Sequence, residues 1–294
     1  MSETIGWIGV GVMGQSMAGH LLDAGYSLRV YNRTKEKALP LLERGAQWCE
    51  TPAETARGSH YVFSIVGFPA DVESVFLGEQ GILAGAKKNA ILVDMTTSEP
   101  SLAERIYLEA KAKGMFALDA PVSGGDLGAR NASLAIMVGG DQSAFDVMLP
   151  LFEVMGENIA FFGPAGSGQR VKMSNQILIA TTMIGVVESL LYATRAGLDA
   201  DEVINLIGKG AAGCWSINNL GRRIAKDDFA PGFFIKHFVK DMGIALKDAA
   251  ALSIDLPGLA LAKEFYDLAI AKGLENDGTQ ALYKIFAEMN EPAS

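Results

Sequence analysis

The feature that most constrains the fold is a glycine-rich turn near the amino terminus, Gly9–Gly14, with the pattern G-x-G-x-x-G. It directly follows the short β-rich run Ile5–Ile8 and leads into a stretch whose apolar residues recur at helical spacing. In such a unit the first glycine allows the tight turn, and the second lets the backbone approach a pyrophosphate. The third lets the helix pack closely on the strand, while the helix N-terminus faces the negative charge. The sequence therefore predicts a dinucleotide-binding loop formed by Gly9, Val10, Gly11, Val12, Met13 and Gly14.

β-Rich runs and helical stretches alternate from Thr4 to about Gly163. Because parallel strands need long crossover connections, this alternation predicts a parallel, doubly wound sheet, at least in its first half. The predicted strands are Ile5–Ile8, Leu28–Tyr31, Tyr61–Val66, Ile91–Asp94, Met115–Leu118, Leu134–Val138 and Ile159–Phe162. We therefore expect residues 1–163 to form a Rossmann-type dinucleotide-binding domain.

The pattern changes after Gly168, where the β-rich runs stop. The stretch from Gln169 to Ala196 contains no proline, and Gly197 offers a C-terminal stop. It predicts one helix of about 28 residues, about 42 Å long, which is enough to join two domains. Residues 164–294 are expected to form an all-α substrate and oligomerisation domain that begins with this long interdomain helix. The predicted fold class is α/β.

Charge and composition narrow the partners of the chain. Its 294 residues carry a formal net charge of −9, whereas nucleic acids and anionic membranes reward clustered Lys and Arg. A hydrophobic content of 49% excludes extensive disorder. Cys49 and Cys214 form no metal-ligand or redox pair, and no metal site is predicted. With no signal-peptide pattern, these features predict a cytoplasmic protein that binds a small molecule, and apolar helical surface favours a homo-dimer or homo-tetramer.

The end of the second predicted strand bears on the choice of coenzyme. NAD-selective sites usually place an Asp or Glu there to bind the ribose hydroxyls, but this chain has Asn32, Arg33 and Thr34. A carboxylate would repel a 2′-phosphate, whereas these three side chains can donate hydrogen bonds to it, with Arg33 as the main charge partner. NADPH is therefore predicted in preference to NADH. Arg33 and Lys35 would also suit a solvated helix start, which leaves NAD possible.

A second glycine-rich segment, Asp119–Gly125, follows another predicted strand. The hydroxyl of Ser123 and the backbone N–H groups of Gly124 and Gly125 would form a small anion cradle suited to a substrate carboxylate. The alternative is that the glycine pair only turns the chain after an edge strand.

Lys172 follows the pair Gly166 and Gly168, with Asn175 and Gln176 one helical turn further on. The spacing i, i+3 and i+4 places all three polar side chains on one helix face. A lysine with its ordinary pKa of about 10.4 becomes an effective acid near neutrality only where desolvation lowers that pKa. Beside a bound nicotinamide, such an amine can exchange a proton with a substrate oxygen while hydride moves. For an isolated helical lysine, a solvated charge is the alternative.

These segments together resemble the β-hydroxyacid dehydrogenase family, which includes 3-hydroxyisobutyrate dehydrogenase, tartronate semialdehyde reductase and short-chain semialdehyde reductases. The resemblance covers essentially the whole chain and includes the pair Lys240 and Asp241. It implies that Lys172 is the catalytic acid/base. It further implies that the substrate-binding residues are Ser123, Gly124, Gly125, Asn175 and Gln176.

The resemblance also implies that Thr96 and Lys240 contact the coenzyme and that Val66 and Gly67 lie beside its nicotinamide half. Two departures limit the transfer. Gln176 stands where many members have asparagine, and its extra methylene is expected to alter substrate reach. The segment Gly67–Pro69 also differs from the Leu-Pro that is common in the family.

The predicted function is that of an NADPH-preferring oxidoreductase that interconverts a small carboxylate-bearing semialdehyde and its hydroxyacid by hydride transfer. One alternative is an NAD-dependent 3-hydroxyisobutyrate dehydrogenase. The alternative from another class is a non-catalytic, oligomeric module that binds the dinucleotide.

Overall fold

A computed structural model describes residues 3–291 of the chain. The chain divides into two compact units, of which the first ends at Lys172 and the second begins at Met173. The division falls inside a long helix, whereas the domain boundary predicted from the sequence, at residues 163/164, lies just before that helix.

The first unit is built on a six-stranded parallel sheet with the order β3-β2-β1-β4-β5-β6. The strands are β1 Thr4–Ile8, β2 Ser27–Tyr31, β3 Gln47–Trp48, β4 Tyr61–Ser64, β5 Ile91–Asp94 and β6 Phe116–Asp119. This order reverses at β1 and β4, which is the arrangement of a doubly wound sheet. The α/β class predicted from the alternation of elements is confirmed.

Helices cover both faces of this sheet because successive strand residues point to opposite sides. In β4, Phe63 belongs to one buried apolar cluster and Val62 to another. The helices of the first unit are α1 Val12–Asp23, α2 Leu39–Glu43, α3 Pro52–Ala56, α4 Pro69–Leu77, α5 Ile82–Gly85, α6 Pro100–Ala112, α7 Gly125–Arg130 and α8 Gln142–Glu153.

The register of the sheet aligns the ends of its central strands. Ile8 at the end of β1 pairs with Ser64 of β4, and Ser64 pairs with Asp94 of β5. Asp94 in turn pairs with Asp119 of β6. The segments that follow these strands therefore leave the sheet at the same edge, where ligands of open parallel sheets bind.

A separate three-stranded sheet completes the first unit. It consists of β7 Val122–Ser123, β8 Leu134–Val138 and β9 Gly156–Phe161, with β7 antiparallel to β8 and β8 parallel to β9. Pro121 lies between β6 and β7, and a proline cannot donate a hydrogen bond to a continuing ladder. The strands β3 and β7, with two residues each, were not predicted because such short segments show no period.

The second unit is helical. Within its described residues, the only β structure is an isolated bridge between Phe234 and Gly278. The long helix α9 Ser167–Arg195 starts in the first unit and continues into the second, as the all-α prediction required. The other helices are α10 Ala200–Ile207, α11 Arg222–Ile224, α12 Ile235–Ala251, α13 Pro257–Ala271 and α14 Leu282–Met289, with a π-helical turn at Ile217–Gly221 before α11. Their apolar faces form one cluster, in which the rings of Phe238 and Tyr266 meet edge to face at 5.1 Å.

Helix α9 has 29 residues, and an 18-residue window within it has a mean hydropathy of 1.7. By length and composition alone it is able to cross a membrane. A single helix of this kind is weak evidence for a span, because core helices of soluble proteins have the same properties.

Candidate active site

The glycine-rich loop after β1 has a geometry that only glycine satisfies at two positions. Gly9 has a φ of 98°, and a Cβ there would lie 2.0 Å from the backbone oxygen of Ile65. A Cβ on Gly14 would lie 2.1 Å from the oxygen of Gly9. At Gly11 no atom of the described residues, apart from its own chain neighbours, lies within 4 Å of the Cβ position, so the backbone is open to an approaching group there. Since α1 begins at Val12, its unpaired N–H groups face this opening, and the loop fits a pyrophosphate.

Asn32 connects the glycine-rich loop to the turn after β2. Its Oδ1 accepts a hydrogen bond of 2.8 Å from the N–H of Val10, and its Nδ2 donates one of 2.7 Å to the oxygen of Thr34. The Asn32 amide was predicted to bind a 2′-phosphate. It instead makes hydrogen bonds that hold the glycine-rich loop and the turn after β2 together. Arg33 and Thr34 are exposed at the carboxyl end of β2.

Arg33 extends toward solvent, with 87% of its side chain exposed. Its Nη1 lies 3.4 Å from Oδ1 of Asp71, in the first turn of α4. The other oxygen of Asp71 accepts a hydrogen bond from the N–H of Phe68, which fixes the carboxylate at the start of that helix. A 2′-phosphate that binds Arg33 would therefore compete with this exposed ion pair.

The loops after β4 and β5 are joined by one side chain, Thr96. Its Oγ1 accepts a hydrogen bond of 2.9 Å from the N–H of Val66, and its own N–H donates one of 3.0 Å to Oδ1 of Asp94. Thr96 is buried, whereas Val66 and Gly67 are partly exposed. Thr96 thus fixes the backbone of the loop after β4, which stays partly exposed at Val66 and Gly67.

Ser123 and the two glycines that follow it make the connection between β7 and α7. Gly124 and Gly125 have φ values of 132° and 62°, in the region that favours glycine. Gly124 is exposed, and Ser123 is half-buried. The hydroxyl and the backbone N–H groups are therefore accessible to a small anionic group.

Lys172 lies in the second turn of α9 and is 7% exposed. The start of this helix is held by the carboxylate of Asp119, which accepts hydrogen bonds from the N–H of Gly166 at 2.7 Å and of Gln169 at 2.8 Å. Burial raises the pKa of Asp119, while these N–H donors act in the opposite direction. A Cβ on Gly168 would lie 2.3 Å from the oxygen of Met137, so the helix needs this glycine to approach the second sheet. The glycines before Lys172 therefore serve close packing.

In the second unit, a buried carboxylate organises the amides that follow Lys172. Asp241 is 1% exposed, and its Oδ2 accepts a hydrogen bond of 2.6 Å from Nε2 of Gln176. Because a carboxylate only accepts, Oε1 of Gln176 faces Asn175 and accepts a hydrogen bond of 2.8 Å from its Nδ2. Lys240 forms an ion pair of 3.0 Å with Oδ1 of the same carboxylate. Both predicted amides thus keep only part of their hydrogen-bonding capacity for a ligand.

His237 lies one turn before Asp241 on α12. Burial, with a contribution from Lys240, lowers the pKa of this imidazole, which favours its neutral form. Among the described residues, no group of three or more His, Cys, Asp or Glu side chains could hold a metal ion.

Three polar residues of the site were not assigned roles from the sequence. They are Asp119 and Gln169 at the start of α9 and Asp241 beside Gln176. All three lie within the motifs noted above. Their residue types alone did not reveal their partners, because those partners are distant in the chain.

Comparison with known proteins matches both parts of the chain. Residues 4–163 match the family described as the NAD binding domain of 6-phosphogluconate dehydrogenase. Residues 166–286 match the family described as the NAD-binding of NADP-dependent 3-hydroxyisobutyrate dehydrogenase.

Individual relatives extend over nearly the full chain. An uncharacterized oxidoreductase, YkwC, from Bacillus subtilis is 53% identical over 98% of this chain and 100% of its own length. The 2-hydroxy-3-oxopropionate reductase of Escherichia coli is 38% identical and covers 92% of each chain. The solved structure of Mycobacterium tuberculosis 3-hydroxyisobutyrate dehydrogenase with L-serine superposes with a TM-score of 0.89 at 28% identity, covering 97% of this chain and 99% of that one.

Proposed function

We propose, since this chain belongs to the β-hydroxyacid dehydrogenase family, that it interconverts a small carboxylate-bearing semialdehyde and its hydroxyacid with NADPH as the preferred coenzyme. The family relation makes it an NAD(P)-dependent oxidoreductase of hydroxyacids or semialdehydes. The observation that carries the proposed role of Lys172 is the burial of this residue near the anchored start of α9.

In this proposal Lys172 is the acid/base. The reduced nicotinamide, when bound, supplies the hydride to the carbonyl carbon of the substrate. The Lys172 ammonium donates a proton to the carbonyl oxygen as negative charge develops there, which produces the hydroxyl group. In the oxidation direction, the neutral Lys172 amine accepts the hydroxyl proton.

The carboxylate of the substrate is assigned to Ser123, Gly124 and Gly125, whose donors are accessible. Asn175 follows Lys172 by three residues on the same helix and retains its Oδ1 and one N–H for the substrate. Gln176 is also assigned to the substrate, to which it would donate the Nε2 hydrogen that does not bind Asp241. The coenzyme is assigned to the loop Gly9–Gly14 and to the backbone of Val66 and Gly67.

The preference for NADPH follows from the carboxyl end of β2. The position has no carboxylate to bind ribose hydroxyls, and the guanidinium of Arg33 is exposed there. Thr34 is exposed beside it and offers a hydroxyl. A comparison of kcat/KM for NADPH and NADH separates this proposal from that of an NAD-dependent 3-hydroxyisobutyrate dehydrogenase.

The proposal is tested with Lys172→Met, which removes the amine and keeps an apolar side chain of similar length. We expect kcat to fall by about 10²- to 10⁴-fold, which is the usual contribution of a positioned acid/base, with coenzyme affinity unchanged. Lys87→Met is the matched control, because Lys87 is exposed just before the amino-terminal end of β5. Activity is followed at 340 nm with succinic, tartronate and methylmalonate semialdehydes.

Wild-type turnover by Lys172→Met contradicts the assigned role. Joint loss of coenzyme binding and activity indicates a structural role for this lysine instead. A wild-type protein that binds the coenzyme tightly but reduces none of these aldehydes favours the non-catalytic module.

A further inference from the structure

Gln169 is a fully buried side chain, 0% exposed, that the proposed mechanism does not use. Its Oε1 accepts a hydrogen bond of 2.9 Å from the N–H of Ser98, and its Nε2 donates one of 2.7 Å to the oxygen of Thr96. Its backbone N–H is bound by Asp119. One residue of α9 is thus attached to the segment after β5 and to the last residue of the adjacent strand β6.

We propose that Gln169 is the positioning residue of the reaction, which holds Lys172 in register with the loop after β5 and, through Thr96, with the loop after β4. This inference rests on the proposed role of Lys172 as the acid/base. Gln169 does not itself act on the substrate in this proposal. Its function is to set where the amine lies relative to the bound nicotinamide.

The carboxamide is suited to this task because it offers one donor and one acceptor to the same short loop. The loop presents the oxygen of Thr96 and the N–H of Ser98, and the two ends of the Gln169 amide satisfy both. A carboxylate at this position would lack the donor for Thr96, and an asparagine would be one methylene too short. The side chain therefore favours one rotation of α9 about its axis and one position along that axis, relative to the loop after β5.

Lys172 follows Gln169 by three residues, so it lies on the same side of α9 and about 4.5 Å further along the axis. Thr96 at the other end of the link accepts the hydrogen bond from the N–H of Val66. A short series of contacts thus runs from Val66 through Thr96 and Gln169 to the helix segment that carries the amine. A shift of about 1 Å in a reacting group costs about 100-fold in rate, so small changes at Gln169 are expected to reach the chemistry.

The helix start does not depend on the Gln169 side chain alone. The two hydrogen bonds to Asp119 come from backbone N–H groups, so they persist when the side chain is replaced. Gln169→Met is therefore expected to fold with the start of α9 in place but with its helix face no longer tied to the loop after β5. Its expected effect is a fall in kcat of about 100-fold, with the KM for NADPH within about threefold of wild type. A larger primary isotope effect on kcat with 4-deuterated NADPH is also expected, because hydride transfer becomes more rate-limiting.

Gln280→Met is the matched control. Gln280 is 1% exposed, and its Nε2 donates to the backbone oxygens of Asp228 and Ala230, so the same substitution removes a similar pair of buried hydrogen bonds. Gln280 has no role in the proposed reaction. We expect Gln280→Met to lower Tm about as much as Gln169→Met does and to leave kcat and the isotope effect unchanged.

The inference is overturned if folded Gln169→Met keeps the wild-type kcat, or if Gln280→Met loses kcat to the same extent. It is also overturned if Gln169→Met loses coenzyme binding and kcat together. Should Gln169→Met not fold, Gln169→Asn provides the same test, because it keeps both polar groups but not their reach.

Lys172→Met, assayed in parallel, separates the two proposals. Wild-type turnover by Lys172→Met refutes the proposed function. Loss of turnover in Lys172→Met together with normal turnover in Gln169→Met refutes only the role of Gln169.

Discussion

Replacing Arg33 by alanine tests the proposed coenzyme preference quantitatively. A hydrogen bond between a guanidinium and a 2′-phosphate contributes about 1.5–3 kcal/mol. Binding the phosphate would displace the exposed ion pair of Arg33 with Asp71, and a surface pair of this kind contributes about 0.2–1 kcal/mol. The net contribution is about 0.5–2.8 kcal/mol, which corresponds to an increase of about 2- to 100-fold in the KM for NADPH. The KM for NADH is expected to stay unchanged, because NADH lacks the phosphate.

Steady-state rates at 340 nm with each coenzyme at saturating aldehyde measure the two KM values. Lys37→Ala is the control for general charge effects, because Lys37 is exposed in the 3₁₀ turn Lys35–Ala38 that follows Arg33. Asp71→Asn removes the competing charge and is expected to lower the KM for NADPH by about two- to fivefold. Equal changes for NADPH and NADH in Arg33→Ala refute the assignment of Arg33 to the 2′-phosphate.

Four further substitutions test the fold and the site. Asp241→Ala removes the buried carboxylate that accepts a hydrogen bond from Gln176 and pairs with Lys240. Because breaking a buried ion pair is costly, it is expected to lower the free energy of unfolding by about 3–5 kcal/mol in urea titrations, and a cost below about 1 kcal/mol contradicts this. Gly14→Ala is expected to abolish coenzyme binding in calorimetric titrations, since the new Cβ meets a backbone oxygen at 2.1 Å. Gly185→Ala in α9 is expected instead to raise stability by about 0.5–1 kcal/mol, because no atom of the described residues outside the local helix backbone lies within 4 Å of the new Cβ. The pKa of His237 is lowered in the folded state, so the unfolded chain binds the proton more readily, and stability is expected to fall as the pH drops below about 6.5. His237→Asn should flatten this pH dependence of unfolding, and an unchanged profile would exclude His237 as its source.

Much of the fold was predictable because the relevant signals are local. The strand Ile91–Asp94 and the helix Ser167–Arg195 begin and end within a few residues of their predicted limits. In each case neighbouring residues repeat with the period of one kind of secondary structure. The glycine-rich loop was equally predictable because its G-x-G-x-x-G spacing is local, although the oxygen that excludes a Cβ at Gly9 belongs to Ile65, after β4.

The turn after β2, with Asn32, Arg33 and Thr34, shows that residue types alone do not reveal which polar groups remain available to a ligand. Asn32 was predicted to donate to a 2′-phosphate, yet in the fold its amide bonds Val10 and Thr34. Asp71 was not considered near Arg33, because 38 residues separate the two positions in the chain. Which of several polar groups remains available to a ligand depends on neighbours that the turn itself does not specify.

By itself, the sequence determined the alternation of strands and helices in the first unit, the dinucleotide-binding loop and the helical position of Lys172. Only the tertiary structure decided that Gln169 bonds Thr96 and Ser98, 73 and 71 residues away, and that Gln176 bonds Asp241, 65 residues away. The physical reason is that periodicity and glycine requirements act over a few residues, whereas a buried polar group must find a partner wherever folding brings one. The hydrogen-bond partners of the site residues were therefore set by the packing of each unit as a whole.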